Sequence, residues 1–319
     1  MARLVVRRLL IGIVIVWLVS VVVFLATLVL PGDAAQELLG INATPAEIRQ
    51  LSIKLHLNEP FWVRYGNWLN GVLHGNLGNS LTSGDSVSSI LGQRLPVTFE
   101  LVVYAFLISL VFTVPVALLA ARKPRGVADR LSMLVSMAGL STAPYVLALL
   151  LILVFAVHLQ VLPAIGYVPP SQSIIGCIRS LTLPAIAIGF PLFCFYTRLL
   201  RADLVQQMQA EDYVVTARAK GLQPRQVLVR HVLRNSLFGL LTVVGLNIGA
   251  LIGTTVIIEQ IFSLPGIGQQ LLQAINDRDV PVVEGTVLVF AIVVVLANLL
   301  TDLMYAVLDP RIRYGRAAA

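Results

Sequence analysis

A charge inside an apolar run is costly, so ionisable residues at or within such runs are the first candidates for chemistry. Asp302 lies about two turns from the end of one apolar stretch, and Arg198 and Arg201 close another. Such a set can form a charge pair, and Arg198 with Asp302 would make an internal gate. The other reading is that Arg198 snorkels to lipid phosphate while Asp302 hydrogen-bonds a neighbouring helix. Glu259 opens a segment that ends at Pro281, where it either lines an outer mouth or holds the turn at 265–268. Asn247, Thr254 and Asn298 carry groups able to hydrogen-bond a solute in a cavity or, as such residues more often do, to bond across helices. Gly245, Gly249 and Gly253 recur every four residues, a smooth stripe suited to helix packing.

No catalytic constellation accompanies these residues. His56, His74, His158 and His231 are scattered and read as loop or surface residues without metal-ligand spacing. There is no Gly-x-Ser-x-Gly elbow, no His-Glu-x-x-His pair and no Gly-rich loop followed by Lys-Ser/Thr to cradle a nucleotide. No catalytic, metal or cofactor site is therefore expected. Cys177 reads as part of a short loop and Cys194 as part of an apolar block, so a structural disulfide is not expected.

One polar segment has a different signature. From Glu211 the chain runs Asp212, Tyr213, Val214, Val215, Thr216, Ala217, Arg218, Ala219, Lys220, Gly221 and Leu222, then Gln223 and Pro224. Acidic residues open it and basic residues close it, as a helix macrodipole prefers, and Gly221 reads as the cap that stops it. The spacing predicts a short surface helix, with Ala217 and Gly221 leaving one face flat for the close approach of a partner. A connector lying on the membrane surface, its basic residues against anionic lipid, is the other reading.

The elements that must position these residues are set by composition. The chain is 57% hydrophobic and only 12% charged, with a mean hydropathy of +0.87; water is not its main solvent. Apolar runs at 9–30, 99–121, 133–157, 183–200, 237–258 and 282–308 predict six transmembrane helices, the fourth weakened by Pro184 and Pro191. The first follows Arg3, Arg7 and Arg8 as a signal peptide would, but its apolar stretch is too long and is read as retained. Placing the N-terminus in the cytoplasm leaves only Arg49, Lys54, Arg64, Arg94, Arg179 and Arg278 of the 23 basic residues outside. The positive-inside rule selects this orientation, with both termini cytoplasmic, and the formal charge of +7 reports topology and not nucleic-acid binding.

The predicted architecture is thus an all-α integral membrane protein in three parts. An N-terminal helix occupies 1–30, an external cap region with short helices 31–98, and a core of five helices 99–319 with an internal loop at 201–236. Within the cap, 46–57 reads as a short helix, with Thr44 as N-cap and Glu47 completing a capping box. A second external segment spans 263–281. No tandem or inverted repeat is visible.

The run 212–222, followed by Arg230, His231, Leu233, Arg234 and Asn235, resembles the cytoplasmic coupling loop of ABC importer permeases of the peptide/nickel B-type branch. The general family pattern is Glu-Ala-Ala, three residues, then Gly; Val215, Thr216, Ala217 and Gly221 depart from it in the manner of the peptide branch. Other stretches resemble the same branch: Pro31-Gly32-Asp33, Gly75 to Ser80 with Asn76 in place of the usual Asp, Arg94-Leu95-Pro96 with Thr98, and Leu162-Pro163 with Gly166. Further on come Leu183-Pro184-Ala185, Arg198 and Arg201, the run from Glu259 through Phe262 to Gly268, Asp279 with Pro281, and Asp302, Tyr305, Asp309, Pro310 and Arg311.

The resemblance implies a bacterial plasma-membrane (inner-membrane) permease subunit. It implies a second homologous permease subunit, two cytoplasmic ATPase subunits that hold ATP and magnesium, an extracytoplasmic substrate-binding protein, membrane lipid, and no nucleic acid partner. Asp212, Tyr213, Ala217, Arg218, Lys220 and Gly221 would couple this chain to an ATPase; Arg198, Asp302, Asn247, Glu259 and Asn298 would belong to the pathway or gate. Peptides are the expected cargo, with nickel chelates or glutathione as alternatives. A self-sufficient carrier using Asp302 or Glu259 as its ion site, or an intramembrane enzyme, would be the rival class.

Overall fold

The computed structural model describes residues 2–29, 44–54 and 59–308. Pro31-Gly32-Asp33, His56, the end of the helix expected at 46–57, and Asp309, Pro310 and the arginines after them lie outside the described residues. Among the described residues every regular element is helical, apart from an isolated bridge between Asn79 and Ser86. In order the helices are α1 (Ala2–Val29), α2 (Pro45–Lys54), α3 (Phe61–Leu73), α4 (Val87–Arg122), α5 (Val127–Ser141), α6 (Pro144–His158), α7 (Ile174–Ala210), α8 (Asp212–Ala219), α9 (Pro224–Phe262), α10 (Ile267–Asn276) and α11 (Val280–Leu308). Helices α1, α4, α7, α9 and α11 are long and apolar enough to cross a membrane, and α5 with α6 makes a sixth crossing if taken as one span.

Two compact units divide the chain. The first comprises 1–98 and 265–299. Here Gly12 of α1 lies so close to α11 that a Cβ would come within 2.5 Å of Val295, and Thr27 donates to the Glu284 carboxylate at 3.0 Å. The start of α4 packs through Val87 and Leu91 on Ile267, Ala274, Val282 and Val283. The capping box of α2 forms as its sequence requires: Glu47 accepts from both the Thr44 amide (2.8 Å) and its hydroxyl (2.7 Å). Those bonds hold the Glu47 carboxyl below the usual carboxylate range.

Helix α3 lies in the external region, where short helices are expected, outside the one placed at 46–57. Its aromatic residues explain it: Phe61, Tyr65 and Trp68 all meet Phe24 of α1, with ring centroids 5.7, 5.4 and 6.0 Å away, and the Tyr65 and Ser20 hydroxyls are 2.8 Å apart. The following turn is tied to a distant residue. Asp279, just before α11, accepts from the Ser80 hydroxyl, the Leu81 amide (3.1 Å) and the Thr82 hydroxyl (3.0 Å). Likewise the Thr98 hydroxyl accepts the Ile267 amide at 2.9 Å, satisfying one of the orphan donors at the start of α10.

The second unit comprises 99–264 and 300–319. The third expected span is not one straight helix: α5 and α6 meet at 103° across residues 142 and 143. Pro144 explains the break, because it drives Ala143 to an extended conformation (ψ 139°) and has no amide to continue the ladder. The Ser141 and Thr142 hydroxyls then bond back to the carbonyls of Met137 and Ala138. The fourth span, in contrast, is a helix of 37 residues despite Pro184 and Pro191 inside it. Cys177, expected in a loop, is buried within this helix, since the helix begins at Ile174 under a Ser173 cap; both cysteines are free thiols.

The internal loop expected at 201–236 is almost entirely helical. Helix α7 continues to Ala210 and α9 begins at Pro224, so that only Glu211 and residues 220–223 around α8 are non-helical. The apolar count ended these spans too early because it registers lipid-facing length and not helix length. Gln223 opens α9 with a reciprocal capping box to Gln226, and Pro224 takes the first position, where its missing amide does no harm. A π-helical stretch, Leu228–Val232, lies within the first turns of α9.

Candidate functional site

Helix α8 is held by one side. Val214 and Ala217 are buried in an apolar cluster with Tyr196, Leu200 and Leu204 of α7 and Val227, Leu228, Val232 and Leu240 of α9. Polar ties fix its rotation. The Tyr213 hydroxyl donates to Gln207 Oε1 at 2.7 Å, Gln207 donates in turn to Asp203 at 2.9 Å, and Arg218 donates to the Met208 carbonyl at 3.1 Å.

The helix stops in a Schellman motif. Lys220 is the C-cap, Gly221 takes the left-handed conformation (φ 82°), its amide bonds the Arg218 carbonyl at 2.9 Å, and the Leu222 amide bonds the Ala217 carbonyl at 3.3 Å. Leu222 then packs on the same cluster. Gly221 is thus the residue after the cap, and its left-handed backbone is the reason a glycine stands there.

The flat face expected from Ala217 is turned inward: at 8% exposure Ala217 meets this chain's own core. Its small side chain lets α8 sit close on α7 and α9. The outer edge is instead Asp212, Val215, Thr216, Arg218, Ala219, Lys220 and Gly221, all exposed, with Val215 at 64%.

The charged residues of α7 are also sorted. Arg198 is exposed, whereas Arg201 makes a bidentate ion pair with Asp129 in the first turn of α5, at 2.8 Å (Nε to Oδ1) and 2.7 Å (Nη2 to Oδ2). Asp129 also accepts the Arg125 amide at 2.7 Å. Asp302 is half-buried on α11, and Asp129 is the carboxylate that pairs with Arg201. Sequence reasoning passed over Asp129 because it stands among Arg125 and Arg130, although an acidic residue in a helix's first turn after Gly126 was the available signal.

The pathway candidates are dispersed. Asn247 is half-buried and donates to the Val243 carbonyl of its own helix at 2.8 Å, Thr254 bonds the Ala250 carbonyl at 3.3 Å, and Asn298 is exposed. Glu259 is fully buried in the last turns of α9, and its backbone carbonyl accepts the Leu264 amide at 2.9 Å where the helix stops at left-handed Ser263. It therefore faces the protein interior in this chain. Of the glycine stripe, Gly245 abuts Thr301, whose hydroxyl bonds the Gly245 carbonyl at 3.1 Å, while a Cβ at Gly253 would meet open space. Among the described residues, no group of three His, Cys, Asp or Glu side chains could ligate a metal ion.

Comparison with known proteins bears on what this arrangement serves. Residues 113–314 match the family described as binding-protein-dependent transport system inner membrane component, and residues 1–102 match the N-terminal region of such membrane components. A Brucella abortus chain named as a peptide transport system permease protein is 37% identical over 314 residues, 98% of this chain and 100% of that one. The dipeptide transport system permease protein of Alkalihalophilus pseudofirmus is 36% identical over 328 residues, covering 97% of this chain and 98% of its own length. A Sinorhizobium fredii chain named as a peptide ABC transporter permease is 35% identical over 308 residues, with 97% and 98% covered. With α8 and the helices that seat it inside the matched region, the chain belongs to the binding-protein-dependent transport system inner membrane components: it is a multi-pass permease subunit of an ABC importer, a transport protein and not an enzyme.

Proposed function

We propose that this subunit forms half of a pathway for peptides, driven through α8 by a partner ATPase. The observation that carries the reading is the two-sidedness of α8: one side is sealed to α7 and α9, and the other presents Asp212, Val215, Thr216, Ala219 and Lys220 to solvent. A docked motor could therefore move α7 and α9 together as a rigid body through α8. ATP and magnesium would reside on two ATPase subunits, a second homologous permease would complete the pathway, and an extracytoplasmic binding protein would deliver cargo. The basic residues flanking the spans favour cytoplasmic termini. Asn247 and Asp302, half-buried on membrane-crossing helices, are the pathway residues this reading would test first, ahead of exposed Arg198 and Asn298 and of buried Glu259. Peptide cargo is favoured over nickel chelates or glutathione by the names of the relatives.

The test compares Gly221→Val with Gly221→Asn in the assembled transporter. Asn tolerates a left-handed backbone and Val does not, so G221V should uncouple hydrolysis from uptake while the complex still assembles, and G221N should keep most of the coupling. Normal uptake with G221V would count against docking through α8. Ion-driven transport by the isolated chain would count against the whole reading.

A further inference from the structure

The loop that joins α6 to α7, carrying Leu162-Pro163 and Gly166, takes no part in the cluster that seats α8. It is nevertheless pinned at both ends. Arg179 of α7 donates from Nη2 to the Val161 carbonyl at 2.9 Å, and the Tyr167 hydroxyl donates to Glu100 of α4 at 2.7 Å. The backbone bends at two left-handed positions, Gln160 (φ 53°) and Gly166 (φ 101°), the second a conformation that favours glycine.

These ties shape a bowl. A cavity of about 550 Å³ opens between the loop, the end of α6 and the first two turns of α7, a size typical of pockets for small ligands. Ala156, Leu162, Pro163, Ile165 and Val168 make the wall largely apolar, and Gln160, Ser180 and Arg179 bring polar groups to it.

Arg179 sets the ligand chemistry. Its bond to Val161 occupies one of the guanidinium donors, and among the described residues no carboxylate pairs with it. The same bond holds the side chain in place, so the rest of the planar fork is oriented before a ligand arrives. Arg179 is exposed, and its charge can be met from water. A held guanidinium beside an aliphatic wall matches a carboxylate carried next to an apolar side chain, which is the free C-terminal end of a peptide.

We propose that this cavity is a subsite for the C-terminal residue of a peptide on the outer face of the chain. Arg179 takes the carboxylate, the aliphatic wall takes the last side chain, and Gln160 meets the peptide backbone. The assignment rests on the peptide reading of the cargo and on the orientation that leaves Arg179 outside.

Both native cysteines are buried, so Ala164→Cys on the cavity wall gives the full chain one accessible thiol. The A164C transporter, assembled without a binding protein in phosphatidylcholine nanodiscs, is labelled with a membrane-impermeant maleimide. Millimolar alanyl-leucine should slow labelling by about threefold or more, and alanyl-leucinamide should not. Added Arg179→Gln should abolish the protection; if it alters the unprotected rate, the comparison of acid with amide decides alone. Equal slowing by the amide overturns the proposal, and so does a thiol that the reagent never reaches. Slowing by phosphatidylglycerol with none by alanyl-leucine also overturns it and indicates a lipid headgroup. If A164C fails to assemble, Ile165→Cys on the same wall takes its place. Uptake of alanyl-leucine by the complete parent transporter is measured beside it. Uptake without protection overturns the subsite and leaves the proposed function standing, whereas protection without uptake upholds the subsite and counts against peptide as the cargo.

Discussion

Arg201 holds Asp129 with two parallel hydrogen bonds, so the long helix that leads into α8 is locked to the first turn of α5. Asp129 is almost buried and Arg201 keeps one fifth of its side chain exposed. The planar fork fits the carboxylate in a way that a lysine ammonium cannot reproduce. Arg201→Lys should therefore lower stability in detergent by about 1–2 kcal/mol, and Asp129→Ala by about 2–4 kcal/mol, because the second leaves a half-buried guanidinium unpaired. Thermal unfolding of the purified chain measures both. A lysine variant that melts like the parent would show that charge, and not the fork, holds the two helices.

The three donors gathered on Asp279 make it the anchor of the turn at 80–82. Asp279→Asn places an amide group among donors, so the turn should open locally at a loss of about 1–3 kcal/mol. Hydrogen exchange at Leu81 and its neighbours should accelerate, while exchange in the middle of α7 stays unchanged. Unaltered protection at Leu81 would show that the turn stands without its anchor.

Glu47 supplies a pH test. Its carboxyl is held below its ordinary value by bonds from Thr44, first the side chain and then the backbone. The capping contribution is therefore fully present above the usual carboxylate range and is lost as pH falls through the lowered value. Amide protection in α2 should decline in that acid window, and Glu47→Gln should remove the pH dependence. A decline of equal size in the Gln variant would assign it to another group.

Two glycines of one helix should respond oppositely. At Gly245 a Cβ would overlap Thr301, so Gly245→Ala should destabilise by about 1–3 kcal/mol through forced helix separation. At Gly253 nothing lies within 4 Å of the added Cβ, so Gly253→Ala should be neutral or stabilising by up to about 1 kcal/mol. These values apply to the isolated chain. Loss of uptake at Gly253→Ala in the assembled transporter, with the chain itself stable, would place another subunit against that position.

Local order was the legible part of this molecule. The six apolar runs located the crossings, and Thr44 with Glu47 announced the start of α2, because hydropathy and capping depend on neighbours in the sequence. The charges before Gly221 and its left-handed preference marked the end of α8 for the same reason. The rest depended on tertiary partners. Asp129 and Arg201 stand 72 positions apart, and Ser80 and Asp279 199, and nothing near either residue names its partner. The inward turn of Ala217 was hidden because a small residue permits close approach from either side, and only packing on Tyr196 and Leu200 selects one. The bend after Ser141 was visible in Pro144, yet the apolar residues on both sides of it continue without a gap and concealed it.

Helix α7, at 37 residues, is about 55 Å long, well beyond the roughly 30 Å of hydrocarbon in a bilayer. Its polar surplus, Arg201 through Gln209, falls at one end, so α8 hangs from a rigid stem that reaches clear of the oil. Under the proposed coupling, force delivered to α8 would act on one continuous helix, whose polar end electrolyte can screen and whose Pro184 is buried in the protein.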